Sequence, residues 1–466
     1  MANMTLNCTA ATFATPTILG AEILAIHANL VTNYSANVSD QYYYNHPSSV
    51  LEGVDFCNVT VSYTHPGQED AINVETWLPL HNNWNSRLQA VRGGGYIPSR
   101  FFLSYAAMVG ALGEGYAASS SDAGLWPSPY LPDSWAQISP GNVDLYKLQN
   151  FGSVALRDQG GRQGYMLAQR YPDAYDGIAA AAPAINWGQF FVASSWTQVM
   201  MNILQLYPFP CELDAITDAA IAACDALDGV VDNLVSDADA CFFDPFTMVG
   251  TKINCTQTGK EILISSAAAT VANLTWAGPA TPEGQRLCYH LGSGLCYDRL
   301  HKWKPATWNY TLIDSVKEFA QLFHDSVDQF DSLIGTRNPD LSAFRDAGGK
   351  LLTYHGLADG IVPVKGTTEY YNRTLEVTPD ARDFYRYFQV PGLGHCAGGS
   401  GGQPTATFQA LVDWVEKGFV PDSLPIQFKD SDGIQQDRIL CPFPQKPRLT
   451  PNATIPASRN SFECTA

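Results

Sequence analysis

The chain has 466 residues, 45% of them hydrophobic and 12% aromatic, enough to bury a large core and to fill two or three domain-sized units. Its formal charge is −18 with a sequence pI near 4.8, and no run of like charges stands out, which argues against nucleic acid and anionic membrane surfaces as partners. No uninterrupted apolar stretch reaches the length of about 18 residues that a membrane span needs.

The N-terminus, Met1-Ala2-Asn3-Met4-Thr5, lacks the basic and apolar regions of a signal peptide. Asn-x-Ser/Thr acceptor sites nevertheless begin at Asn3, Asn7, Asn33, Asn37, Asn58, Asn254, Asn273, Asn309, Asn372 and Asn452, ten of the 23 asparagines. Chance would give roughly three, because Ser and Thr together fill about one position in seven. With eleven cysteines, this pattern predicts a glycosylated, disulfide-bonded, secreted protein whose signal peptide is not present in this chain. Local spacing favours Cys224 with Cys241, Cys288 with Cys296 and Cys441 with Cys464. Cys8 with Cys57 would staple the N-terminal segment to the first sheet, Cys211 and Cys255 offer a fifth pair, and Cys396 is left unpaired. Spacing alone does not fix the connectivity.

Along the chain, apolar runs that end in Gly or Pro mark the strands. Residues 72–79 and 88–91 read as strands, and the second opens into Arg92-Gly93-Gly94-Gly95-Tyr96. Backbone N–H groups of Gly94 and Gly95 are candidates for stabilising an oxyanion, the alternative being a plain turn. Residues 148–158 resemble the start of a helix, a second helix runs from Tyr165 to Tyr171, and residues 177–183 form a short buried strand. Between Trp187 and about Arg345 the texture changes to helices, cysteines and Asp-rich turns, long enough for a lid inserted between core strands. Within it, Asp225, Asp228 and Asp232, with the carbonyls of Val230 and Leu234, suit a structural calcium ion, the alternative being an acidic surface loop. Strands at 350–354 and 384–390 and a helix at 404–417 complete the series. Strands alternating with helices predict an α/β fold with a doubly wound, mostly parallel sheet. Its first part would be residues 1–186, the lid 187–345 and the second part 346–466.

Two motifs carry chemistry. In His355-Gly356-Leu357-Ala358-Asp359-Gly360-Ile361-Val362-Pro363, a buried strand delivers a carboxylate to the C-terminal edge of the sheet, where doubly wound folds put their sites. In Pro391-Gly392-Leu393-Gly394-His395-Cys396, a Gly-rich loop after a strand presents an imidazole that Asp359 can hold in the tautomer needed for proton transfer. These are the acid and base of an α/β-hydrolase triad, in the order Ser, Asp, His, but the serine is missing. Gln159-Gly160-Gly161-Arg162-Gln163-Gly164 resembles the second half of a Gly-x-Ser-x-Gly elbow, with Gly160 and Gly161 as its remnant, and Leu156-Arg157-Asp158 stands where the first half belongs. Ser400, in Gly398-Gly399-Ser400-Gly401-Gly402, fits the pattern formally but follows the histidine with no strand before it. Ser153 lies in a predicted helix, and Ser119, Ser120 and Ser121 have no elbow.

Taken together, these motifs resemble the fungal tannase and feruloyl esterase family of secreted carboxylic-ester hydrolases, over nearly the whole chain. The resemblance implies an α/β-hydrolase fold with a lid, calcium as a structural ion, and a serine esterase acting on a small-molecule or plant-polymer ester of a phenolic acid such as gallate or ferulate. It also implies a nucleophile segment Gly-Cys-Ser-x-Gly-Gly-Arg-Gln-Gly, of which this chain keeps Gln159 to Gly164, and a disulfide between that absent Cys and Cys396. About 30 residues, the size of a helix, loop and strand, are missing before Gln159 by this comparison. The chain as written is then an inactive form of an esterase, with stability lowered by the loss of a central strand. The alternatives are a non-catalytic secreted relative that binds aromatic esters or glycans, and a calcium-binding structural protein that leaves Asp359 and His395 unexplained.

Overall fold

The computed structural model describes residues 7–80, 83–91, 93, 95–125, 132–139, 142–153, 160–287, 313, 315–430, 432–451 and 457–465. Two compact units divide the chain, residues 1–170 and 171–466. The helix-rich stretch 187–345 therefore shares its unit with the strands that follow it, whereas the sequence suggested boundaries at 187 and 346.

The first unit is built on a five-stranded sheet. Its strands are β1 (Glu22–Val38), β2 (Ser49–Thr64), β3 (Ile72–Pro79), β4 (Leu88–Ala90) and β5 (Ala117–Ser121), in the order β1-β2-β3-β5-β4. Only β4 and β5 run parallel; the other neighbours are antiparallel. Helix α1 (Phe102–Gly113) buries Met108, Ala111 and Leu112. A small antiparallel ladder, β6 (Gln137–Ser139) with β7 (Asn142–Val143), precedes α2 (Leu145–Ser153) and α3 (Gly160–Arg170). Cys8 and Cys57 form a disulfide that fixes the N-terminal segment to β2. Beneath the sheet lies a polar knot. Buried Glu75 accepts from Trp77 Nε1 (2.9 Å), Asn58 Nδ2 (3.0 Å), Arg100 Nε (3.1 Å) and Tyr105 OH (3.0 Å). Arg100 reaches on to buried Asp122 at 3.2 Å, so two carboxylates share one guanidinium and no buried charge is left without a partner.

The second unit carries a three-stranded parallel sheet, β8 (Gly177–Ala181), β11 (Lys350–Gly356) and β12 (Tyr385–Val390), in the order β12-β11-β8. Between β8 and β11 come α4 (Trp187–Ala193), α5 (Trp196–Leu204), α6 (Pro210–Cys224), the hairpin β9 (Lys252–Cys255) and β10 (Lys260–Leu263), α7 (Ser266–Ala277), α8 (Val316–Ile334) and α9 (Ser342–Asp346). One apolar cluster in this stretch joins Val192, Trp196 and Val199 to Phe319 and Phe323; another joins Leu213 and Ile216 to Ile264 and Val271. Disulfides Cys211–Cys255 and Cys224–Cys241 tie α6 to the segments after it. Cys288 and Cys296, paired by spacing, lie outside the described residues.

Helices α10 (Val364–Val377) and α11 (Thr407–Lys417) pack on the parallel sheet. Tyr385 and Tyr387 of β12 meet Tyr371 and Phe443 in edge-on and tilted ring contacts, and burial pushes the Tyr387 phenol up to about 12. Two hairpins close the chain, β13 (Leu424–Lys429) with β14 (Gln435–Leu440), and β15 (Lys446–Leu449) with β16 (Phe462–Thr465), joined by Cys441–Cys464. Edge strand β8 is nearly all buried, yet only its β11 side is paired among the described residues.

Candidate active site

The site is made where β11 and β12 end side by side. Both strands are largely buried, and their parallel pairing holds the C-terminal ends in register, His355 opposite Gln389 and Gly356 opposite Val390. Past them the two loops stay zipped: Leu357 N donates to Val390 O (2.8 Å) and Ala358 N to Leu393 O (3.0 Å). Only glycine fits at 356, because a Cβ there would lie 2.1 Å from the Leu393 carbonyl oxygen. That close approach brings the loop after β12 onto the Asp359 turn.

Asp359 is fully buried, and its carboxylate accepts from groups on both oxygens. Its Oδ1 takes the backbone N–H groups of Ile361 (2.8 Å) and Val362 (2.9 Å). Its Oδ2 takes His395 Nδ1 at 2.7 Å and His355 Nε2 at 3.0 Å. Burial alone would push this carboxyl up, but the His395 charge and the hydrogen bonds of both imidazoles outweigh it and hold the group well below the usual carboxylate range. His395 is half-buried; burial disfavours its charged form, yet the Asp359 carboxylate overrides this, with Cys396 contributing, and raises the imidazole well above its ordinary value. The result is an ionised acid orienting a basic imidazole by its Nδ1, which leaves Nε2 to exchange a proton with a hydroxyl.

The remaining predicted residues fall as follows. Gly95, at φ 59° and exposed, and the helical residues Gly160 and Gly161 belong to the first unit; Gly94 and the junction at 156–159 lie outside the described residues. Ser153 ends α2, Ser119 to Ser121 are strand residues of β5, and Ser400 is exposed in the loop after His395. Among the described residues no serine hydroxyl is hydrogen-bonded to His395. Cys396 is buried at φ 62°, with its sulfur 3.9 Å from the Ala181 carbonyl at the end of β8, and it stands outside the four disulfides. Tyr354 OH holds its backbone carbonyl at 3.1 Å. A cleft lined by Phe190, Ser194, Trp196 and Thr197 shares Ile361 and Pro363 with the Asp359 turn.

In the acidic loop, Asp225 gathers the N–H groups of Asp232 (3.1 Å), Asn233 (2.9 Å) and Leu234 (3.3 Å), and Asp228 that of Val230 (2.9 Å). Asp232 pairs with buried Arg438 at 3.2 Å. Burial raises the Asp232 carboxyl, with Arg438 opposing and Asp228 and Asp225 adding to the rise. Among the described residues no three acidic, His or Cys side chains converge as a metal cluster. The Val230 and Leu234 carbonyls accept no hydrogen bond from a described residue, so the loop retains oxygens open to a hard cation beside two buried carboxylates.

His355 was not legible as a functional residue. Its one signal is position, the last side chain of an apolar strand, four residues before the acid.

A family model described as tannase and feruloyl esterase matches residues 157–294 and 300–465. A probable feruloyl esterase of Arthroderma benhamiae is 34% identical over 505 aligned positions, covering 96% of this chain and 92% of the relative. Since 96% of 466 residues is about 447, about 58 of those positions are filled by the relative alone. The tannase of Aspergillus oryzae is 27% identical, covering 98% of this chain and 92% of its own. Among solved structures, tannin acyl hydrolase from Aspergillus niger aligns at a TM-score of 0.84 with 26% identity, over 99% of this chain and 96% of that one.

The raised imidazole sets a pH dependence for stability. A folded pKa above the unfolded value of about 6.5 means the native state binds the extra proton, so this stabilisation is complete below that pH and is lost as pH rises through the folded pKa. Chemical denaturation at a series of pH values is expected to show stability declining above about pH 6.5, at no more than the one-proton slope of about 1.4 kcal/mol per pH unit. In Asp359→Asn that decline should flatten; an unchanged slope would separate it from the pair.

Proposed function

Because the chain belongs to the tannase and feruloyl esterase family, we propose that Asp359 and His395 are the acid and base of an ester hydrolase whose serine lies in a segment this chain lacks. The protein is an α/β carboxylic-ester hydrolase of that family, directed at esters of phenolic acids such as gallate or ferulate. The observation that carries the assignment is the 2.7 Å bond from His395 Nδ1 to Asp359, which aims Nε2 at the place of a nucleophilic hydroxyl. The cleft with Phe190 and Trp196 beside the Asp359 turn is an aromatic surface suited to a phenolic ring. A non-catalytic binding protein is the less favoured reading, since it gives the Asp–His pair no task.

Three observations support a lost segment. The family match opens at residue 157, at the junction where the elbow is cut. About 58 aligned positions of the Arthroderma relative have no residue in this chain. Among the described residues, buried β8 is paired on its β11 side alone, and a further strand would pair the other. Protein of verified mass is therefore expected to hydrolyse methyl gallate and methyl ferulate at background rate, unchanged by His395→Ala. Turnover that His395→Ala abolishes would reveal a nucleophile elsewhere in the chain.

Calcium is proposed as a structural ion held by Asp225, Asp228 and Asp232 with the Val230 and Leu234 carbonyls, where its charge would tie the loop together and take no part in ester chemistry. Thermal melts should then fall after treatment with EGTA and recover with calcium but not with magnesium. A Tm indifferent to the chelator, in protein shown by elemental analysis to have carried no calcium, would remove the ion from the account.

Secretion and glycosylation are proposed from the acceptor sites and the disulfides. The sites differ in access. Asn7, Asn33, Asn37, Asn254, Asn273 and Asn372 are exposed, whereas Asn58 is half-buried and its Nδ2, the nitrogen a glycan would need, donates to Glu75 at 3.0 Å. Mass spectrometry of peptides from protein made in a secreting fungal host is expected to find glycan on exposed sites and none on Asn58. Full occupancy at Asn58 would contradict this.

A further inference from the structure

Two imidazoles share one oxygen of Asp359, and the second has no part in proton transfer. His355 Nε2 lies 3.0 Å from Asp359 Oδ2 and 3.1 Å from the Val362 carbonyl, both acceptors, so this nitrogen carries a hydrogen. Its other nitrogen, Nδ1, is 2.8 Å from the Thr367 hydroxyl of α10. A threonine hydroxyl can donate to it, which suits the Nε2–H tautomer that the two acceptors on the other side require. His355, Asp359 and Thr367 are each at most 1% exposed, so water competes for none of these bonds.

We infer that His355 is a positioning residue that tunes the base: its Nε2–H occupies one lone-pair direction of Asp359 Oδ2, confines His395 to the other, and limits how strongly the carboxylate holds the His395 proton. The inference rests on reading Asp359 and His395 as the acid–base pair. The physical reason is competition for charge. An oxygen that accepts two hydrogen bonds has less negative charge to give to either, so a carboxylate with a second fixed donor is a weaker partner for an imidazolium. A tannase-type reaction needs a base that gives its proton back, and a carboxylate bound too strongly to the imidazolium would hinder that return. Among the described residues, the ionisable groups next to the pair include His355 from β11, bonded to Asp359, and Cys396 from the loop after β12, whose backbone carbonyl accepts from Tyr354 OH.

The test is an NMR titration of His395, which needs no turnover and applies to the chain as it stands. The wild-type protein should show a far-downfield Nδ1 proton from the bond to Asp359 and one midpoint for the His395 ring. His355→Leu, which removes the donor, should move that midpoint up by at least half a pH unit, about a threefold change in the acid dissociation constant. His355→Gln, whose amide can place an N–H near the former Nε2, should return it towards the wild-type value. If His355→Leu does not fold, Thr367→Val removes the hydroxyl bonded to His355 Nδ1 and should move the midpoint in the same direction. A persistent downfield proton with an unmoved midpoint in every folded variant overturns the inference and leaves His355 as packing alone. Absence of that proton in the wild type, with a His395 midpoint at its ordinary value, instead overturns the acid–base reading on which it rests.

Discussion

A carboxylate buried as deeply as Asp359 can remain ionised only if nearly every lone pair is used, and much of the second unit's local geometry follows from that requirement. Oδ1 demands two consecutive N–H groups, which curls the chain into the turn through Ile361 and Val362. Oδ2 demands donors from two further directions, supplied by the last side chain of β11 and by the loop after β12. That loop can come close enough only because residue 356 has no side chain, and the loop's own glycines let it fold back on itself, Gly394 N to Gly398 O at 2.8 Å and Gly401 N to Gly392 O at 3.0 Å. Glycine-rich sequence on both sides of the acid is thus a packing condition for the pair.

How legible this was depends on whether each element announces itself by burial. Strand β3 was read with its observed bounds, and β11, β12 and α11 within a few residues, because each presents an apolar run to a core. Hairpin β1–β2, the longest in the molecule at 17 and 16 residues, was missed, since its residues are largely exposed or half-exposed and carry almost no burial pattern. Strands β14 and β15 give a weak signal for a related reason: β15 has no buried residue, and β14 buries Gln436 and Arg438, whereas β13 buries Leu424, Ile426 and Phe428 in alternation. Polar burial is invisible to a hydrophobicity pattern. The sequence predicts a mostly parallel sheet, and among the described residues parallel pairing occurs in β4–β5 and β8–β11–β12, whereas β1, β2 and β3 follow one another without an intervening α-helix and pair antiparallel.

The site shows the same division. Asp359 and His395 could be found because motif and position in the fold agreed. His355 could not, since a histidine at the end of a buried strand looks like any polar residue at a strand terminus until its partner is known. The acidic loop looked like a set of metal ligands, and in the folded chain its carboxylates also serve backbone N–H groups and Arg438. Two tasks, capping the loop and binding a cation, call for the same residue type at the same spacing, and sequence does not separate them.

The closeness of Asp359 and His395 has a physical explanation that needs no third group. The ends of β11 and β12, the Asp359 turn, His355 and Thr367 belong to one unit, and the four hydrogen bonds to Asp359 named above all come from within it. Removing one partner of such a buried pair typically costs about 3–5 kcal/mol, so the constellation is retained for stability whether or not a hydroxyl faces it. The bond between Asp359 and His395 therefore reports that the second unit folds and is not by itself a report of turnover. It follows that the pair can stand on bonds made within the second unit, and that among the described residues the place where a further strand would add pairing is the unpaired side of β8.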